Sequence, residues 1–288
     1  MNMKITGKTK VLGIIGYPVA HSLSPLMQNA ALKALGLDYI YVPFAVEPQN
    51  LSVAVNGMRA LGVHGFNVTI PHKTAIIPLL DRVSPEAELS GAVNTVCRED
   101  GLLVGYNTDG TGFIKSLADD LGFNPDSAKI LILGAGGAAR GAVAALCEAG
   151  VTKIIVANRT REKGEALIDS FRESYFQVQF ALSSQDTGEL SEYLQEANLI
   201  VNTTSVGMNG SSFTGLEVNA FLPDAKVYDM VYSPPETPLL VAARGRNLAC
   251  SNGLGMLAAQ GEAAFSLWTG MDPPAGLMRK MLSAALCM

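Results

Sequence analysis

Apolar and polar residues alternate along the first third of the chain in a pattern that switches repeatedly between strand and helix. Short apolar runs such as KVLGIIG, YIYVPF and HGFNVTI are separated by helical segments, the first of them from Pro25 to Leu35. This alternation is typical of a mainly parallel sheet flanked by helices. The next segment has two apolar runs around Glu99-Asp100-Gly101, which predicts a hairpin.

A second alternating series begins at Lys129, after a helix and a turn-rich segment, and runs through KILIL, KIIVA, LIVN and AKVYDMVY. Two such series predict two α/β domains with a cleft between them. The chain turns helical after Asn252. We therefore predict an α/β fold with a first domain over residues 1–109, a Rossmann-like domain over residues 110–252, and C-terminal helices over residues 253–288 that return to the first domain.

The segment KILILGAGGAARGAVAAL has the ingredients of a dinucleotide-binding unit. Gly134, Gly136 and Ala139 follow the G-x-G-x-x-G/A spacing between an apolar run and a helix of small residues. The first glycine permits a tight turn, the second lets the backbone approach a pyrophosphate, and the small third residue lets the helix pack closely on the strand. A tight corner without a ligand would use similar glycines, but the context on both sides favours a cofactor.

The residues after the next predicted strand indicate which dinucleotide binds. An acidic residue about 20 positions after the glycines normally binds the ribose hydroxyl of NAD. Here the segment instead contains Asn158, Arg159, Thr160, Arg161 and Lys163. A guanidinium can hold a 2′-phosphate through two hydrogen bonds, whereas a carboxylate would repel it. The sequence favours NADP, although solvated charges at the start of a surface helix would have the same composition.

Polar side chains also follow the predicted strands of the first domain. Ser22 and Ser24 come after the first strand, and the pair Ser24-Pro25 predicts a helix N-cap. Lys73 follows a strand that ends at a proline, and we expect a helix to begin near it. Its neighbour His72 is predicted to be a positioning or surface residue. Asp109 is expected to cap the next helix, a role that does not exclude a catalytic one.

Taken together, these segments resemble the shikimate dehydrogenases over nearly the whole chain. Eight motifs occur in the order typical of that family: GYPVAHSLSP, GFNVTIPHK, GAVNTV, YNTDG, GAGGAAR, NRT, VYSPPETPLL and NGLGMLAAQ. The resemblance implies that the first domain binds shikimate and the second binds NADP. It also implies reversible NADP-dependent reduction of 3-dehydroshikimate to shikimate in aromatic amino acid biosynthesis.

The resemblance further implies a role for each residue that matches a family motif. Lys73 and Asp109 correspond to the catalytic acid–base pair. The substrate carboxylate would be bound by Ser22 and Ser24, and the residues expected at its hydroxyls or nearby are Thr69, Asn94, Gln260 and Tyr232. The cofactor residues would be Gly134, Ala135, Gly136, Gly137 and Ala138 at the pyrophosphate, Asn158, Arg159, Thr160 and Lys163 at the adenosine phosphate, and Met230, Gly253 and Met256 at the nicotinamide. Lys163 stands where an arginine is common in the family.

Composition limits the other possibilities. With 288 residues, 48% hydrophobic residues and a formal net charge of −5, the chain is expected to be a mildly acidic globular protein, not one that coats nucleic acid or an anionic membrane. Cys97, Cys147, Cys250 and Cys287 lie far apart without metal-ligand spacing, so we predict buried or incidental thiols in a reducing compartment, no metal site and a cytoplasmic location. A small-molecule substrate and a monomer or homodimer are expected.

Three other readings stay open from the sequence. A quinate/shikimate dehydrogenase that uses NAD would have a similar plan, but the basic segment argues against NAD. A folate-linked methylene dehydrogenase would also have two domains and a lysine, but the paired serines and the aspartate of NTDG favour a carboxylated polyol. A non-catalytic ligand sensor would have no need of both Lys73 and Asp109.

Overall fold

The computed structural model describes residues 5–184 and 188–286. The strands are β1 (Lys10–Gly16), β2 (Tyr39–Ala45), β3 (Gly65–Val68), β4 (Arg82–Val83), β5 (Thr95–Glu99), β6 (Leu102–Tyr106), β7 (Lys129–Leu133), β8 (Lys153–Ala157), β9 (Gln179–Ser183), β10 (Leu199–Asn202), β11 (Lys226–Asp229) and β12 (Cys250–Asn252). The α-helices are α1 (Ser24–Ala34), α2 (Leu51–Ala60), α3 (Pro85–Ser90), α4 (Asp109–Leu121), α5 (Gly137–Glu148), α6 (Arg161–Arg172), α7 (Gly188–Leu194), α8 (Pro238–Gly245), α9 (Leu254–Thr269) and α10 (Leu277–Leu286).

The chain divides into two compact units. The first comprises Met1–Gly112 together with Leu257–Met288, and the second comprises Phe113–Met256. The first unit therefore contains both ends of the chain, and the second is a continuous segment.

The first unit is built on a six-stranded sheet in the order β2-β1-β3-β5-β6-β4. Strand β1 pairs in parallel with β2 and β3, and β4 pairs in parallel with β6, whereas β5 is antiparallel to both of its neighbours. The turn between β5 and β6 has the left-handed residues Asp100 and Gly101, with φ of 49° and 87°. The mainly parallel sheet and the hairpin predicted from the sequence are both confirmed.

The C-terminal helices belong to the first unit, as the sequence predicts. Trp268 of α9 donates its Nε1 to the Val96 carbonyl of β5 at 3.0 Å, and Gln28 of α1 donates its Nε2 to the Gly261 carbonyl of α9 at 2.9 Å. Helix α10 packs on α1. These contacts join the end of the chain to the sheet formed by its beginning.

The second unit is a Rossmann-type sheet in the order β12-β11-β10-β7-β8-β9, with every neighbouring pair parallel. If β7 is numbered 1 and β12 is numbered 6, the sheet read from β9 to β12 has the strand order 3-2-1-4-5-6. This is the doubly wound arrangement that binds dinucleotides. The side chains of Ile130 to Leu133 in β7 are fully buried, as a central strand covered on both faces requires.

Two of the cysteines are interior residues. Cys97 and Cys147 are buried, and burial raises the pKa of each thiol to about 12, so neither is a reactive thiolate. Cys250 is half-buried, and Cys287 lies outside the described residues. Within residues 5–184 and 188–286, no cluster of three potential metal ligands occurs. In the same ranges no helix has the length and apolar character needed to cross a membrane.

Candidate active site

The structure of the first unit brings Lys73 and Asp109 together although 36 residues separate them along the chain. Lys73 Nζ lies 2.5 Å from Asp109 Oδ2, and the two side chains are 33% and 23% exposed. The pair is therefore partly shielded but open to a small molecule. An ammonium held by a carboxylate can donate a proton or stabilise a developing negative charge on a ligand oxygen.

Asp109 is fixed by polar neighbours on the side away from Lys73. It is the first residue of α4 rather than a residue before it, and its backbone N–H donates to Asn107 Oδ1 at 2.9 Å. Asn94 donates its Nδ2 to Asp109 Oδ1 at 2.8 Å. Each carboxylate oxygen thus has its own donor, which orients the group toward the lysine.

Lys73 lies on a turn, and the α-helix expected to begin there is absent. Residues 73–76 form turns, followed by a short 3₁₀ segment at Ile77–Leu79. Pro78 explains the difference, because a proline this close would remove a helical hydrogen bond and clash with the preceding turn. The Lys73 carbonyl instead accepts the Val93 N–H at 2.8 Å, which ties the turn to the segment leading into β5.

His72 is a buried positioning residue and not a surface one. Its side chain is 1% exposed, and Nε2 lies 2.6 Å from the Val46 carbonyl, the first residue after β2. This bond holds the turn that carries Lys73 against the edge of the sheet.

Asn94 is buried, and its amide is occupied by protein groups. Besides Asp109, its Nδ2 bonds Thr108 Oγ1 at 3.0 Å, and its Oδ1 accepts the Thr108 N–H at 2.8 Å and the Thr95 hydroxyl at 3.0 Å. The role that the structure supports for Asn94 is therefore to orient Asp109. Its predicted bond to a substrate hydroxyl stays a prediction.

The paired serines lie at the start of α1, but Ser24 is not the N-cap. Leu23 occupies the cap position with helical backbone angles, and Ser24 is the first helical residue, 6% exposed. Ser22 Oγ accepts the Ser24 backbone N–H at 3.3 Å, so a hydrogen bond joins the two serines at the start of α1.

The other predicted substrate residues fall in both units. Thr69 follows β3 in the first unit, is half-buried, and donates its backbone N–H to Ile15 of β1. Gln260, in the first-unit part of α9, is 8% exposed and donates Nε2 to the Leu257 carbonyl at 2.8 Å. Tyr232 follows β11 in the second unit, and burial raises its pKa.

The glycine turn of the second unit has the geometry that its spacing predicts. Gly134 has φ of 110°, and an added Cβ would lie 2.7 Å from Thr204 Cγ2 and 2.9 Å from Thr203 Oγ1. Ala139 is fully buried. Gly136, Gly137 and Ala138 are exposed, and a Cβ on either glycine would meet nothing within 4 Å. The result is an open backbone surface at the start of a twelve-residue helix that has no side-chain cap.

The start of α5 therefore fits a pyrophosphate. The first backbone N–H groups of a helix lack intrahelical partners, and the helix dipole favours an anion there. Ala135 is half-buried and completes the segment Gly134 to Ala138.

The cations of the basic segment after β8 are exposed, and one of them is paired with a carboxylate. Arg161 Nε bonds Glu165 Oε1 at 3.0 Å one helical turn later. Arg159 and Lys163, by contrast, have no ion-pair partner among the residues that the structure describes. Asn158 donates Nδ2 to the Thr160 carbonyl at 2.6 Å, which fixes the turn before α6. Two cations at this corner are available to a phosphate.

Two of the predicted nicotinamide residues, Met230 and Gly253, are neighbours in the second unit. Gly253 packs so closely on Met230 that the Met230 carbonyl occupies the space a Cβ would need. The Gly253 N–H also donates to the Val231 carbonyl at 3.4 Å. Met256 lies within the first turn of α9 and is half-buried.

Several residues that organise these sites were not predicted from the sequence. In the first unit they are Tyr41, Asn67, Thr95 and Thr108, all less than 9% exposed. In the second unit, the fully buried Asp229 at the end of β11 accepts hydrogen bonds from Thr237, Asn202 and the Val231 N–H. Burial raises the pKa of Asp229. The sequence did contain one signal for such residues: a polar residue within an apolar strand. A polar side chain buried in a strand is unusual unless it has a hydrogen-bond partner.

Comparison with protein families gives a consistent result along the chain. Residues 14–96 match the model described as "Shikimate dehydrogenase substrate binding domain". Residues 116–210 match "Shikimate / quinate 5-dehydrogenase" and residues 253–282 match "Shikimate 5'-dehydrogenase C-terminal domain".

Individual relatives agree with the family models. The shikimate dehydrogenase (NADP(+)) of Geobacter metallireducens is 61% identical over 284 residues, which are 99% of each chain. A crystal structure of a shikimate dehydrogenase in complex with NADP+ has a TM-score of 0.90 at 42% identity and covers 98% of both chains. The Listeria monocytogenes shikimate 5-dehydrogenase, solved with shikimate and NAD, has a TM-score of 0.93 at 37% identity, covering 98% of this chain and 99% of that one.

Proposed function

We propose that this chain, which belongs to the shikimate dehydrogenase family, catalyses the reversible NADPH-dependent reduction of 3-dehydroshikimate to shikimate. The observation that carries the proposal is the pair Lys73–Asp109, held at 2.5 Å and partly open to a ligand. A sensor of the same fold would not need an oriented ammonium–carboxylate pair.

The first unit is proposed to bind the substrate, and the second to bind NADP. Ser22 and Ser24 are assigned to the substrate carboxylate because each serine hydroxyl can donate to one of its oxygens and the two serines are joined by a hydrogen bond at the start of α1. The residues assigned to its hydroxyl groups, or placed near them, are Thr69, Asn94, Gln260 and Tyr232. This division gives the predicted domains 1–109 and 110–252 their functions, and the C-terminal helical segment from Leu257 onward completes the substrate unit.

Lys73 and Asp109 are assigned the proton transfer. Reduction of a ketone builds negative charge on its oxygen, and Lys73 Nζ can donate a proton to that oxygen as the charge develops. Asp109 keeps the ammonium oriented through its Oδ2. In the reverse direction, the neutral lysine amine accepts the proton of the ring hydroxyl. Bound NADPH supplies the hydride for the reduction.

The residues of the second unit fit NADP on two grounds. The exposed backbone from Gly136 to Ala138 at the start of α5, which follows the tight turn of Gly134 and Ala135, suits the pyrophosphate. Arg159 is exposed and unpaired in the described ranges, and with Lys163, Asn158 and Thr160 it would hold the 2′-phosphate. Met230, Gly253 and Met256 are assigned to the nicotinamide.

A substrate and cofactor matrix tests the proposal. Reduction of 3-dehydroshikimate would be followed by NADPH absorbance, with NADH in parallel, and oxidation of shikimate and quinate would be measured with NADP and NAD. We expect turnover of 3-dehydroshikimate and shikimate, with NADP preferred. Turnover of quinate with NAD at a higher kcat/KM would instead assign the quinate/shikimate alternative, and an absence of turnover with all pairs would assign a ligand sensor.

The compartment and the assembly belong to the same proposal. We infer a cytoplasmic enzyme, since NADPH and a small carboxylated substrate are the ligands assigned. A monomer or a homodimer is expected, and light scattering coupled to gel filtration would measure which of the two forms.

A further inference from the structure

We propose that Tyr41 is a positioning residue for the catalytic pair, acting through a buried hydrogen-bond relay that starts at its own hydroxyl and ends on the carboxylate of Asp109. The inference rests on the proposed function and deepens it. It connects a buried tyrosine of β2 with the residues assigned to proton transfer.

The relay is a continuous series of hydrogen bonds across the sheet of the first unit. Its links are Tyr41 OH to Asn67 Oδ1 at 2.7 Å, Asn67 Nδ2 to Thr95 Oγ1 at 3.0 Å, Thr95 Oγ1 to Asn94 Oδ1 at 3.0 Å, and Asn94 Nδ2 to Asp109 Oδ1 at 2.8 Å. The first four of these side chains are 1%, 5%, 0% and 3% exposed. Because they are buried, water cannot replace a missing partner, and each link constrains the next.

The carboxylate of Asp109 determines which group donates and which accepts in each hydrogen bond of the relay. A carboxylate accepts hydrogen bonds and cannot donate, so Asn94 must present its amide nitrogen to Asp109 and its carbonyl to Thr95. The Thr95 hydroxyl therefore donates to Asn94 and accepts from the Asn67 amide. A second bond from Asn67 Nδ2, to the Asn94 backbone carbonyl at 3.1 Å, holds the Asn67 amide in the same orientation.

The orientation of the Asn67 amide also fixes the direction of the Tyr41 hydrogen bond. Its hydroxyl must donate to Asn67 Oδ1. Burial raises the pKa of Tyr41 well above its usual value. Tyr41 is therefore a neutral donor at working pH, and it holds the Asn67 amide at the first link of the relay.

Removing this hydroxyl leaves Asn67 Oδ1 buried without a donor. The Asn67 amide could satisfy its oxygen only by turning over, but its carbonyl would then face the Asn94 carbonyl. The register of β3 and β5 places Asn67 opposite Thr95, so strain at Asn67 is passed to the residue that orients Asn94. The expected consequence is a loss of alignment at Asp109 and Lys73, which lowers kcat more than it raises KM.

The test compares Tyr41→Phe, Thr95→Val and the double variant in steady-state reduction of 3-dehydroshikimate by NADPH. Both changes conserve shape, and the Phe ring keeps the Tyr41 contact with Trp268. We expect each single change to lower kcat by about 10-fold to 100-fold, the scale of a small misplacement of reacting groups. Because both break one relay, the double variant should lose little more than the worse single variant.

Tyr39→Phe is the matched control. It removes a hydroxyl from the same strand, but that hydroxyl contacts Lys10 and His64 and not the relay. Its kcat should stay within about twofold of the unaltered protein, on the scale of a site with no link to the chemistry. Melting temperatures of all variants check that the fold is retained.

Each outcome is decisive for the relay. A kcat loss for both single variants that does not multiply in the double variant supports it. Multiplied losses, or a normal kcat for Tyr41→Phe, overturn the relay while leaving the proposed function intact. If Tyr41→Phe fails to fold, Thr95→Val alone decides: reduced kcat at an unchanged KM supports the relay and normal kcat overturns it. An unaltered protein inactive on 3-dehydroshikimate overturns both proposals.

Discussion

Lys73 Nζ bonds Asp109 Oδ2 at 2.5 Å, and Asn94 Nδ2 bonds the other oxygen of the same carboxylate at 2.8 Å. Asp109 therefore has a donor on each oxygen, one charged and one neutral. The neutral donor is buried and held by further hydrogen bonds, whereas the lysine is 33% exposed. Within the first unit, the lysine is the member of this group best placed to meet a ligand.

Lys73→Ala should abolish most turnover without disturbing the fold. Because the lysine would be the proton donor, we expect kcat to fall by about 10²–10⁴, the usual contribution of an acid–base group. NADPH affinity, measured by fluorescence titration, should be unchanged, since the residues assigned to NADP lie in the second unit.

Lys115→Ala provides the control for this change. Lys115 forms an exposed pair with Asp119 at 2.7 Å, in which both side chains are about half exposed. Exposed pairs of this kind contribute little, so this variant should keep normal kcat and stability. Equal kcat in the Lys73 and Lys115 variants would remove Lys73 from the mechanism.

Arg159→Ala should weaken discrimination between NADPH and NADH. A hydrogen bond to a charged group contributes about 1.5–3 kcal/mol, so loss of the guanidinium should raise KM for NADPH about 10-fold to 100-fold and leave KM for NADH almost unchanged. Steady-state assays with both cofactors measure the ratio.

Arg161→Ala is the control that shows whether the position of the lost positive charge matters, or only the loss of charge. It removes the same charge two residues away, but Arg161 is paired with Glu165 on the same helix. We expect a much smaller effect on NADPH than Arg159→Ala produces. Similar losses in the two variants would mean that the segment acts only through its net charge.

The fold was largely predictable because its strands are apolar and its helices amphipathic, so alternation alone indicated two α/β units. The hairpin was also predictable, since Asp100-Gly101 supplies two residues that accept positive φ. The expected helix at Lys73 was wrong. Pro78 lies too close to Lys73 for an α-helix to continue past it, and residues 73–76 form turns instead.

The site was only partly predictable, for a different reason. Lys73 and Asp109 stand out because charged residues follow apolar strands in recognisable motifs. Asn67 and Thr95 do not, because a polar residue in a strand acquires a role only when the register places it opposite a partner. That register depends on tertiary pairing between β3 and β5, which no local pattern specifies.

Gly134→Ala should destabilise the second unit. At φ of 110° an alanine is strained, and its Cβ would lie within 3 Å of Thr203 and Thr204. We expect a loss of about 1–3 kcal/mol in the free energy of unfolding, the usual magnitude of such backbone strain. Urea denaturation followed by circular dichroism would measure it.

Gly141→Ala is the opposite case on the neighbouring helix. Gly141 lies inside α5, and a Cβ there meets nothing within 4 Å. Alanine is the better helix former, so this variant should gain about 0.5–1 kcal/mol. A stabilised Gly134 variant, or a destabilised Gly141 variant, would contradict this account of the turn.

His64 gives the stability of the first unit a pH dependence near neutrality. Its ring Nε2 lies 3.0 Å from the Trp268 carbonyl, and burial lowers its pKa below the usual 6.5, with Lys10 and Arg98 adding to the effect and the Trp268 bond opposing it. The unfolded chain therefore binds more protons than the native one just below pH 6.5. The free energy of unfolding should fall as pH drops through this window and be flat above it.

His64→Gln tests this directly, because the amide can still donate to the Trp268 carbonyl but does not titrate. We expect the variant to lose part of the slope in the free energy of unfolding between about pH 7 and pH 5, where few carboxyl groups titrate. His21→Gln, at an exposed position, should retain the slope of the unaltered protein. Urea denaturation at several pH values measures both. If His64→Gln kept the full slope, the acid sensitivity would have to arise elsewhere, since burial of this ring is its stated physical cause.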